Sequence, residues 1–217
     1  MVFELLLAAA AGYLLGSLPM GYFFVKIFKH RDITRIGSGR TGGTNAMRAG
    51  GLWVGLLTAL ADLCKGYLAV WLAQQTAPEA IWIHTAAGAA AVTGHNWSIW
   101  VYHLTGRFAG GAGTGPNVGA AIAFFPPAAL IAVPIVIVFV FLVGYASLAS
   151  LTAALALMAT FAVRAVFLNA PWEHFVYAAL TTLLVAAALR PNIERLRQGT
   201  ERRVGLFARP KGDHLSS

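Results

Sequence analysis

Charged side chains are scarce in this chain: they make up 11% of its 217 residues, against about 25% in soluble domains. Residues 108–163 contain no Asp, Glu, Lys or Arg at all. Hydrophobic residues make up 58% of the chain, and the mean hydropathy is +0.69. These values exclude a soluble domain and predict an integral membrane protein. Because the apolar runs are continuous rather than alternating, we expect spanning helices and not a closed barrel.

Cysteine is nearly absent as well. Cys64 stands alone, which excludes an internal disulfide and a cysteine metal cluster, and the histidines lack metal-ligand spacing. A GxSxG turn, a P-loop and a nucleic-acid module are also missing. We therefore expect no metal and no other cofactor. The site is expected to work by positioning and phosphate electrostatics rather than through an activated nucleophile.

The apolar runs predict an all-α polytopic membrane protein, organised as a single membrane domain over residues 1–217. About seven spans are expected, at 3–26, 52–74, 80–103, 115–125, 128–144, 148–168 and 174–189. Pro126 and Pro127 separate the fourth span from the fifth, and these two could instead form one re-entrant unit. The sequence shows no internal repeat and no linker that would divide the chain.

Basic residues are concentrated in two segments of the chain. Of the 16, six lie between Lys26 and Arg48 and seven lie between Arg190 and Lys211. The positive-inside rule places both segments in the cytoplasm, which puts the N-terminus outside. The net charge of +8 favours anionic headgroups and phosphate ligands. One site is therefore expected at the cytoplasmic face, where the predicted segments are 28–51, 104–117 and the basic tail 190–217.

The most informative segment is RIGSGRTGGTNAMRAGG, residues 35–51. Its six glycines allow consecutive N–H groups to point at one spot, which makes an anion nest. Its three arginines add fixed charges and planar forks that suit phosphate. The segment predicts a phosphate-bearing ligand at the lipid surface, with a solvated glycine-rich connector as the alternative.

A second glycine-rich segment, TGRFAGGAGTGPN, covers residues 105–117. Gly110 and Gly111 are candidates for another anion cradle, with Arg107 as its local charge; the alternative is a tight entry into the next helix. His95, at the inner end of the third predicted span, is a candidate general base or ligand, or else a packing residue.

Two further pairs of polar residues lie inside predicted spans. Asp62 and Lys65 are one helical turn apart, and because charges inside a span are costly we expect them to pair, or Lys65 to reach the interface. Ser147 and Ser150 share a helix face. They are either functional or helix-packing serines.

Five motifs in order resemble those of the bacterial membrane glycerol-3-phosphate acyltransferases that use acyl-phosphate as donor. GSGRTGGTNAMR at 37–48 is similar to GSGNxGATNxxR, and ADLCKG at 61–66 to LDxxKG. GH at 94–95 with GGAG at 110–113 resembles GHxxP…GGKG. YASLAS at 145–150 resembles SLxS, and NIERLRQGTE at 192–201 resembles NIxRLxxGxE. The resemblance implies seven membrane helices, an outside N-terminus and a cytoplasmic site.

The reaction implied by the resemblance moves a fatty acyl group from acyl-phosphate to the 1-hydroxyl of glycerol 3-phosphate. The product is lysophosphatidic acid, an intermediate of phospholipid biosynthesis in the cell inner membrane. The expected catalytic residues are Ser38, Asn45 and Arg48. The expected substrate-binding residues are Gly39, Arg40, Thr44, His95, Arg107, Gly110, Gly111, Ser147, Ser150 and Asn192.

Within this pattern the roles divide by substrate. Ser38 and Asn45, with Gly39 and Thr44, would line the acyl-phosphate cradle, and Gly110 with Gly111 would complete it. Arg48 would hold a substrate phosphate. Ser147 and Asn192 would orient glycerol 3-phosphate, and the apolar spans would lodge the acyl chain.

The chain also departs from the family pattern. Alanines stand in place of lysines at 109 and 112, and Arg40 replaces an asparagine; Leu189 and Pro191 replace a histidine and a glutamate. Losing one charge-assisted phosphate contact costs about 1.5–3 kcal/mol. We hypothesise that Arg40, Arg107 and Arg190 compensate for the missing lysines.

The departures leave a second function open, a membrane protein that binds lipid phosphates without turnover. A small-solute transporter is less favoured, because only Asp62 and Lys65 place charge near a midplane. The enzyme is favoured by the retained Ser38, Thr44, Asn45, Arg48 and Asn192, whereas the missing lysines favour the binder.

Overall fold

The computed structural model describes residues 2–204, and every regular element in that range is helical. The helices are α1 Val2–Ser17, α2 Met20–Lys29, α3 Gly43–Gly50, α4 Leu52–Thr76, α5 Ile81–Asn96, α6 Ile99–Thr105, α7 Thr114–Phe124, α8 Ala128–Val138, α9 Ala146–Phe167, α10 Trp172–Ala188 and α11 Arg190–Arg197. A 3₁₀ turn covers Ile33–Arg35, and a π-helical turn, Phe139–Val143, continues α8. The predicted all-α class is confirmed. Residues 205–217 of the predicted basic tail lie outside the described residues.

Within residues 2–204, three helical segments are long and apolar enough to cross a bilayer: Val2–Lys29, Leu52–Thr76 and Ala146–Phe167. Helices α10 and α11 meet at a bend of 62° and would make a fourth. Large apolar side chains such as Leu130, Phe167 and Leu183 are well exposed, as expected for lipid-facing positions. The count of seven spans and the outside N-terminus stay predictions.

The first predicted span is interrupted by Pro19, which lacks an N–H group and ends α1. The carbonyl groups freed at this break accept from side chains elsewhere in the fold, one on α4 and one in the turn between α5 and α6. Ser98 Oγ donates to the Ser17 carbonyl oxygen, and Lys65 Nζ donates to that of Leu18 at 2.9 Å. The break therefore explains why a lysine is buried in α4.

The predicted single span 80–103 is wrong, because α5 ends at Asn96 and a separate helix follows. Ser98 is the reason: its Oγ accepts from Val101 N at 3.1 Å and caps α6. The backbone N–H of Ser98 also donates to the Ala109 carbonyl at 3.3 Å. That hydrogen bond holds the second glycine-rich segment, residues 105–117, against the end of α5.

Helix α4 is central and packs against α1, α2, α3, α5 and α7. Small residues allow the closest approaches. A Cβ added to Gly119 of α7 would lie 1.9 Å from the Leu63 carbonyl oxygen, and one added to Gly16 of α1 would lie 2.1 Å from that of Ala91. Small residues at helix contacts are typical of membrane helix packing. This packing places the first loop, α5 and α7 around one end of α4.

Candidate active site

A cavity of about 450 Å³ lies between the first loop, α4, α7, α8, α9 and α11. Its polar lining comes from loops and helix ends. Its apolar lining comes mainly from the bodies of α4 and α8, including Leu56, Leu60, Val133, Val136 and Ile137. The cavity therefore combines a polar chamber with a hydrophobic wall, as an amphiphilic ligand requires.

Ten of the thirteen residues predicted from the sequence line this cavity: Ser38, Arg40, Thr44, Asn45, Arg48, His95, Gly111, Ser147, Ser150 and Asn192. The other three do not. Gly39 forms a turn with φ of +70°, and Gly110 is buried against the His95 carbonyl. Arg107 is exposed outside the cavity, so the structure does not bring it to the other predicted residues.

Asn45 organises the first glycine-rich loop. Its amide nitrogen donates to the carbonyl oxygens of Ile33, Ile36 and Arg40, at 3.3, 2.9 and 2.8 Å. Its Oδ1 accepts from Ser38 N at 3.1 Å. Since every one of these partners is loop backbone and Asn45 is 2% exposed, the geometry gives this side chain a positioning task rather than a free reactive group.

Among residues 2–204, four arginines line the cavity, namely Arg40, Arg48, Arg195 and Arg202, and the carboxylates of Glu201 and Asp62 line it as well. Burial lowers the pKa of Arg40, and the charge of Arg195 lowers that pKa further. Burial also lowers the pKa of Arg48, with additional lowering by Arg202. Arginine nevertheless stays protonated in proteins. The cations thus repel one another in a partly desolvated space, and a bound anion relieves that repulsion.

Arg40 reaches from the first loop to the end of α10, where its Nη2 donates to the Ala188 carbonyl oxygen. The next residue, Leu189, is 2% exposed and belongs to an apolar cluster against which Ala112 packs. Ala112 and Leu189, which stand where the family pattern has a lysine and a histidine, therefore form one apolar patch. A guanidinium from a different loop lies beside that patch.

Glu201 ties α11 and α9 together, and it was not among the predicted site residues. Its Oε1 accepts from Asn192 Nδ2 at 2.7 Å and from Ser147 Oγ at 3.3 Å. Its Oε2 lies 2.8 Å from Arg195 Nε. Glu201 is the last residue of the motif at 192–201, so the motif could have indicated it. Because two arginines follow Glu201 in the sequence, its carboxylate resembles an ordinary solvated charge.

The two predicted serines of α9 differ in their partners. Ser147 donates to Glu201, whereas Ser150 Oγ accepts from Thr114 Oγ1 at 2.6 Å and donates to the Ala146 carbonyl at 2.9 Å. Ser150 therefore holds α7 against α9. The packing interpretation fits Ser150 better than it fits Ser147.

The predicted pairing of Asp62 with Lys65 is confirmed. Lys65 Nζ lies 2.9 Å from Asp62 Oδ1, and both side chains are about 5% exposed. His95 Nδ1 lies 3.5 Å from the same oxygen. Neither contact has full hydrogen-bond geometry at Oδ1. Lys65 and Asp62 form an ion pair, whereas the contact with His95 is ionic only when the imidazole is protonated. Asp62 and His95 also line the cavity, which places a buried charged group directly beneath the polar chamber.

Fold and cavity together define an integral membrane protein whose cationic chamber opens onto an apolar wall, the arrangement of an enzyme that acts on anionic lipids. The sequence profile of the glycerol-3-phosphate acyltransferase family matches residues 6–199. The chain belongs to that family, and the resemblance drawn from its motifs is confirmed. Its predicted function, acyl transfer to glycerol 3-phosphate in phospholipid synthesis, is confirmed with it.

Relatives match over nearly the whole chain. The glycerol-3-phosphate acyltransferase of Symbiobacterium thermophilum is 36% identical over 208 residues, covering 96% of this chain and 98% of the relative. That of Mesorhizobium japonicum is 36% identical over 206 residues, covering 94% and 98%.

Two solved structures are also similar, both of PlsY (YgiH), an integral membrane glycerol 3-phosphate acyltransferase. The glycerol 3-phosphate form matches with a TM-score of 0.78 and 33% identity, covering 93% of this chain and 96% of that one. The lysophosphatidic acid form matches with a TM-score of 0.76 and 32% identity, covering 93% and 95%.

Proposed function

We propose that this enzyme takes its acyl group from an acyl-phosphate and transfers it to the 1-hydroxyl of glycerol 3-phosphate at the cytoplasmic face of the inner membrane. Lysophosphatidic acid and inorganic phosphate are the products. The observation that carries the proposal is the cavity, in which Arg40, Arg48, Arg195 and Arg202 adjoin an apolar wall. Both proposed substrates carry phosphate, and one of them also carries a long acyl chain.

The first loop and α3 form the proposed acyl-phosphate cradle. Helix α3 begins after Gly42 without a side-chain cap, and its first residues, Gly43 and Thr44, line the cavity. Free N–H groups at a helix N-terminus favour phosphate. Arg48 lies on the same helix, so backbone donors and a guanidinium can hold one phosphate together. Ser38 joins them at the cavity, and Asn45 keeps the loop in place.

The proposed glycerol 3-phosphate subsite lies at α11 and the start of α9. Asn192 Oδ1 is buried with no hydrogen-bond partner among residues 2–204, so it is available to accept from a glycerol hydroxyl. The Asn192 amide nitrogen is fixed by Glu201, which holds Oδ1 in one orientation. Arg40, whose guanidinium reaches α10 next to Leu189, supplies the charge for the glycerol phosphate.

The proposed acyl-chain subsite is the wall between α4 and α8. Its leucines, valines and isoleucine bury methylene groups at about 0.8 kcal/mol each. Since α8 is a lipid-facing helix with exposed residues such as Leu130 and Ile137, the acyl donor can enter from the bilayer rather than from water.

A second candidate function is a binder of lipid phosphates that does not turn over. The apolar patch of Ala112 and Leu189 favours it, because this patch replaces two groups that the family pattern places in the site. The two functions predict the same ligand contacts and differ only in product formation.

The test is acyl transfer by the purified protein in lipid nanodiscs, with palmitoyl-phosphate and labelled glycerol 3-phosphate. The variant Arg48→Ala removes a cavity cation, and Arg35→Ala is its matched control, since the Arg35 side chain is 85% exposed and its ion pair within residues 2–204 is with Asp32 at 3.5 Å. Labelled lysophosphatidic acid is expected from the wild type and from Arg35→Ala. Arg48→Ala is expected to lose at least tenfold in kcat/KM, the loss expected for about 1.5–3 kcal/mol.

No product from the wild type, under conditions in which PlsY turns over, would contradict the enzyme. Retained binding of palmitoyl-phosphate in that case would favour the lipid-phosphate binder. Product formed only with palmitoyl-coenzyme A would contradict the proposed donor and leave the acceptor intact.

A further inference from the structure

Among residues 2–204, the arginines that line the cavity differ in whether their guanidinium groups have partners. Arg195 Nε pairs with Glu201 at 2.8 Å, and Arg40 donates to a carbonyl oxygen at the end of α10. No hydrogen bond or ion pair within the same range engages the side chain of Arg48 or that of Arg202. Since a guanidinium carries five donors, these two side chains are available to bind an anion.

Arg48 and Arg202 face each other closely enough to interact. Burial lowers the pKa of Arg48, and the charge of Arg202 lowers it further, by more than the charge of Arg195 does. Both side chains line the cavity. Two like charges at short range repel each other, and an anion bound between them would remove that repulsion. A phosphate has enough oxygens to accept from both planar forks at once.

The backbone of Arg202 is fixed by residues on either side of it. Before it, Glu201 Oε1 accepts from Asn192 Nδ2 at 2.7 Å. After it, Val204 N donates to the Gly144 carbonyl at 2.8 Å, and the Val204 side chain is buried. Residues 199–204 therefore form a strap from the end of α11 to the start of α9. Because Arg202 itself is exposed, binding of an anion orders one side chain and not a whole loop.

The family motif assigns no role to Arg202. The motif at 192–201 ends at Glu201, directly before it. The chamber also lacks a cation that the family pattern has, since Ala112 stands in place of a lysine. The strap brings a guanidinium to the same cavity from a different part of the chain, and this guanidinium supplies a positive charge that the glycine-rich segment 105–117 does not.

We propose that Arg202 is a phosphate-binding residue, which together with Arg48 clamps the phosphate of one substrate. The inference rests on the proposed function, because that function supplies two ligands with a terminal phosphate, a long-chain acyl-phosphate and glycerol 3-phosphate. Arg48 approaches the phosphate from α3 and Arg202 approaches it from the strap. Removing one charge-assisted contact should weaken binding of the clamped ligand about tenfold.

The test measures binding without turnover. Wild type in lipid nanodiscs is titrated with labelled glycerol 3-phosphate alone and, separately, with labelled palmitoyl-phosphate alone, with empty nanodiscs as background. Arg202→Gln removes the guanidinium, and Arg197→Gln is the matched control because Arg197 is exposed on α11 and does not line the cavity. A melting curve of each variant establishes that it is folded.

We expect Arg202→Gln to weaken binding of at least one ligand about tenfold, while Arg197→Gln leaves both within twofold. The ligand that is weakened identifies the clamped phosphate. Arg202→Lys should recover part of the affinity, because lysine restores the charge without the planar fork. Losses below fivefold for both ligands, or equal losses in Arg197→Gln, would overturn the proposal.

A double-mutant cycle tests whether the two guanidinium groups share one phosphate. The loss of affinity in the double variant of Arg48→Gln and Arg202→Gln should be smaller than the product of the two single losses. The reason is that part of each single loss comes from repulsion that the anion no longer relieves. A loss equal to that product would assign the two side chains to separate anions and overturn the shared clamp.

Acyl transfer by the same preparations separates this inference from the proposed function. A wild type that binds both ligands but forms no lysophosphatidic acid would overturn the proposed function and leave the clamp in place. A wild type that forms lysophosphatidic acid, together with unchanged binding in Arg202→Gln, would overturn the clamp alone. A wild type that binds neither ligand would overturn both.

Discussion

The amide nitrogen of Asn192 donates to Glu201 Oε1 across 2.7 Å, so a carboxylate beyond the end of α11 sets the orientation of a proposed substrate ligand. The same carboxylate holds Arg195 at 2.8 Å, and its side chain is only 6% exposed. One buried charge therefore organises an amide and a guanidinium that both line the cavity.

Replacing that carboxylate by an amide, Glu201→Gln, is expected to reduce both stability and activity. An amide cannot satisfy Asn192, Arg195 and Ser147 together, and it leaves the cavity with one more uncompensated positive charge. We expect a loss of about 1.5–3 kcal/mol in the free energy of unfolding, measured by denaturant titration, and at least a tenfold fall in kcat/KM. Glu194→Gln is the control, since Glu194 is exposed and its side chain, within the described part of the chain, accepts from Gln198 alone. Equal behaviour of the two variants would contradict the assigned role.

Arg40 is expected to carry the compensation for the missing lysines without help from Arg107. Arg40 lines the cavity and reaches α10, whereas Arg107 is exposed outside it. Arg40→Ala should raise the KM for glycerol 3-phosphate at least tenfold, and Arg107→Ala should leave it within twofold. The double variant should match Arg40→Ala alone. A double variant much weaker than Arg40→Ala would restore Arg107 to the site.

Adding a lysine at a position where the family pattern has one tests the same compensation by restoring a cation instead of removing one. Ala112 packs against the cluster of Leu189, beside the guanidinium of Arg40. Ala112→Lys in the Arg40→Ala background should recover part of the lost affinity for glycerol 3-phosphate, because a cation returns to the same patch. In the wild-type background the extra lysine should not help, since it adds repulsion between like charges. Ala109→Lys, at a position outside the cavity, is the control; rescue by it would refute a local effect.

The sequence predicted many of the residues that line the cavity, because its signals are local. Glycines, arginines and amides cluster in two loops, and ten of the residues chosen there and in the later motifs line one cavity. The family followed from motif order. What was missed depends on contacts between distant elements: Asp62 and His95 lie on two helices, and nothing in either segment indicates that their side chains meet.

Two breaks in the helices were also not predicted from the sequence. Lys65 and Ser98 stabilise these breaks at Pro19 and Asn96, because their side chains donate to the carbonyl oxygens of Leu18 and Ser17 where α1 ends. Hydropathy depends on composition alone and contains no information about such hydrogen-bond partners. The apolar residues at 3–26 and 80–103 therefore predicted continuous spans. The proline was visible, but a membrane helix can tolerate a proline when neighbours satisfy the freed carbonyls, and those neighbours appear only in the fold.

Close packing between Gly111 and His95 makes a coupled prediction about stability. Gly111→Ala would place a methyl group 1.9 Å from Nε2, which is far inside van der Waals contact, so the imidazole must move. The penalty in the free energy of unfolding should exceed 1 kcal/mol, as overpacking commonly does. In a His95→Ala background the same change should cost much less. A double-mutant cycle measured by denaturant titration gives the coupling, and additive effects would mean that the ring does not face Gly111.

The wall between α4 and α8 should set the acyl-chain length. Val136 lines the cavity on α8, while Leu130 of the same helix is 79% exposed and does not. Val136→Trp fills space that the far methylenes of a palmitoyl chain would occupy, and losing two of them costs about 1.6 kcal/mol at 0.8 kcal/mol each. The ratio of kcat/KM for palmitoyl-phosphate to that for lauroyl-phosphate should therefore fall about tenfold. Leu130→Trp should leave the ratio unchanged, because its bulk points to lipid; the same fall in both variants would place the chain outside this wall.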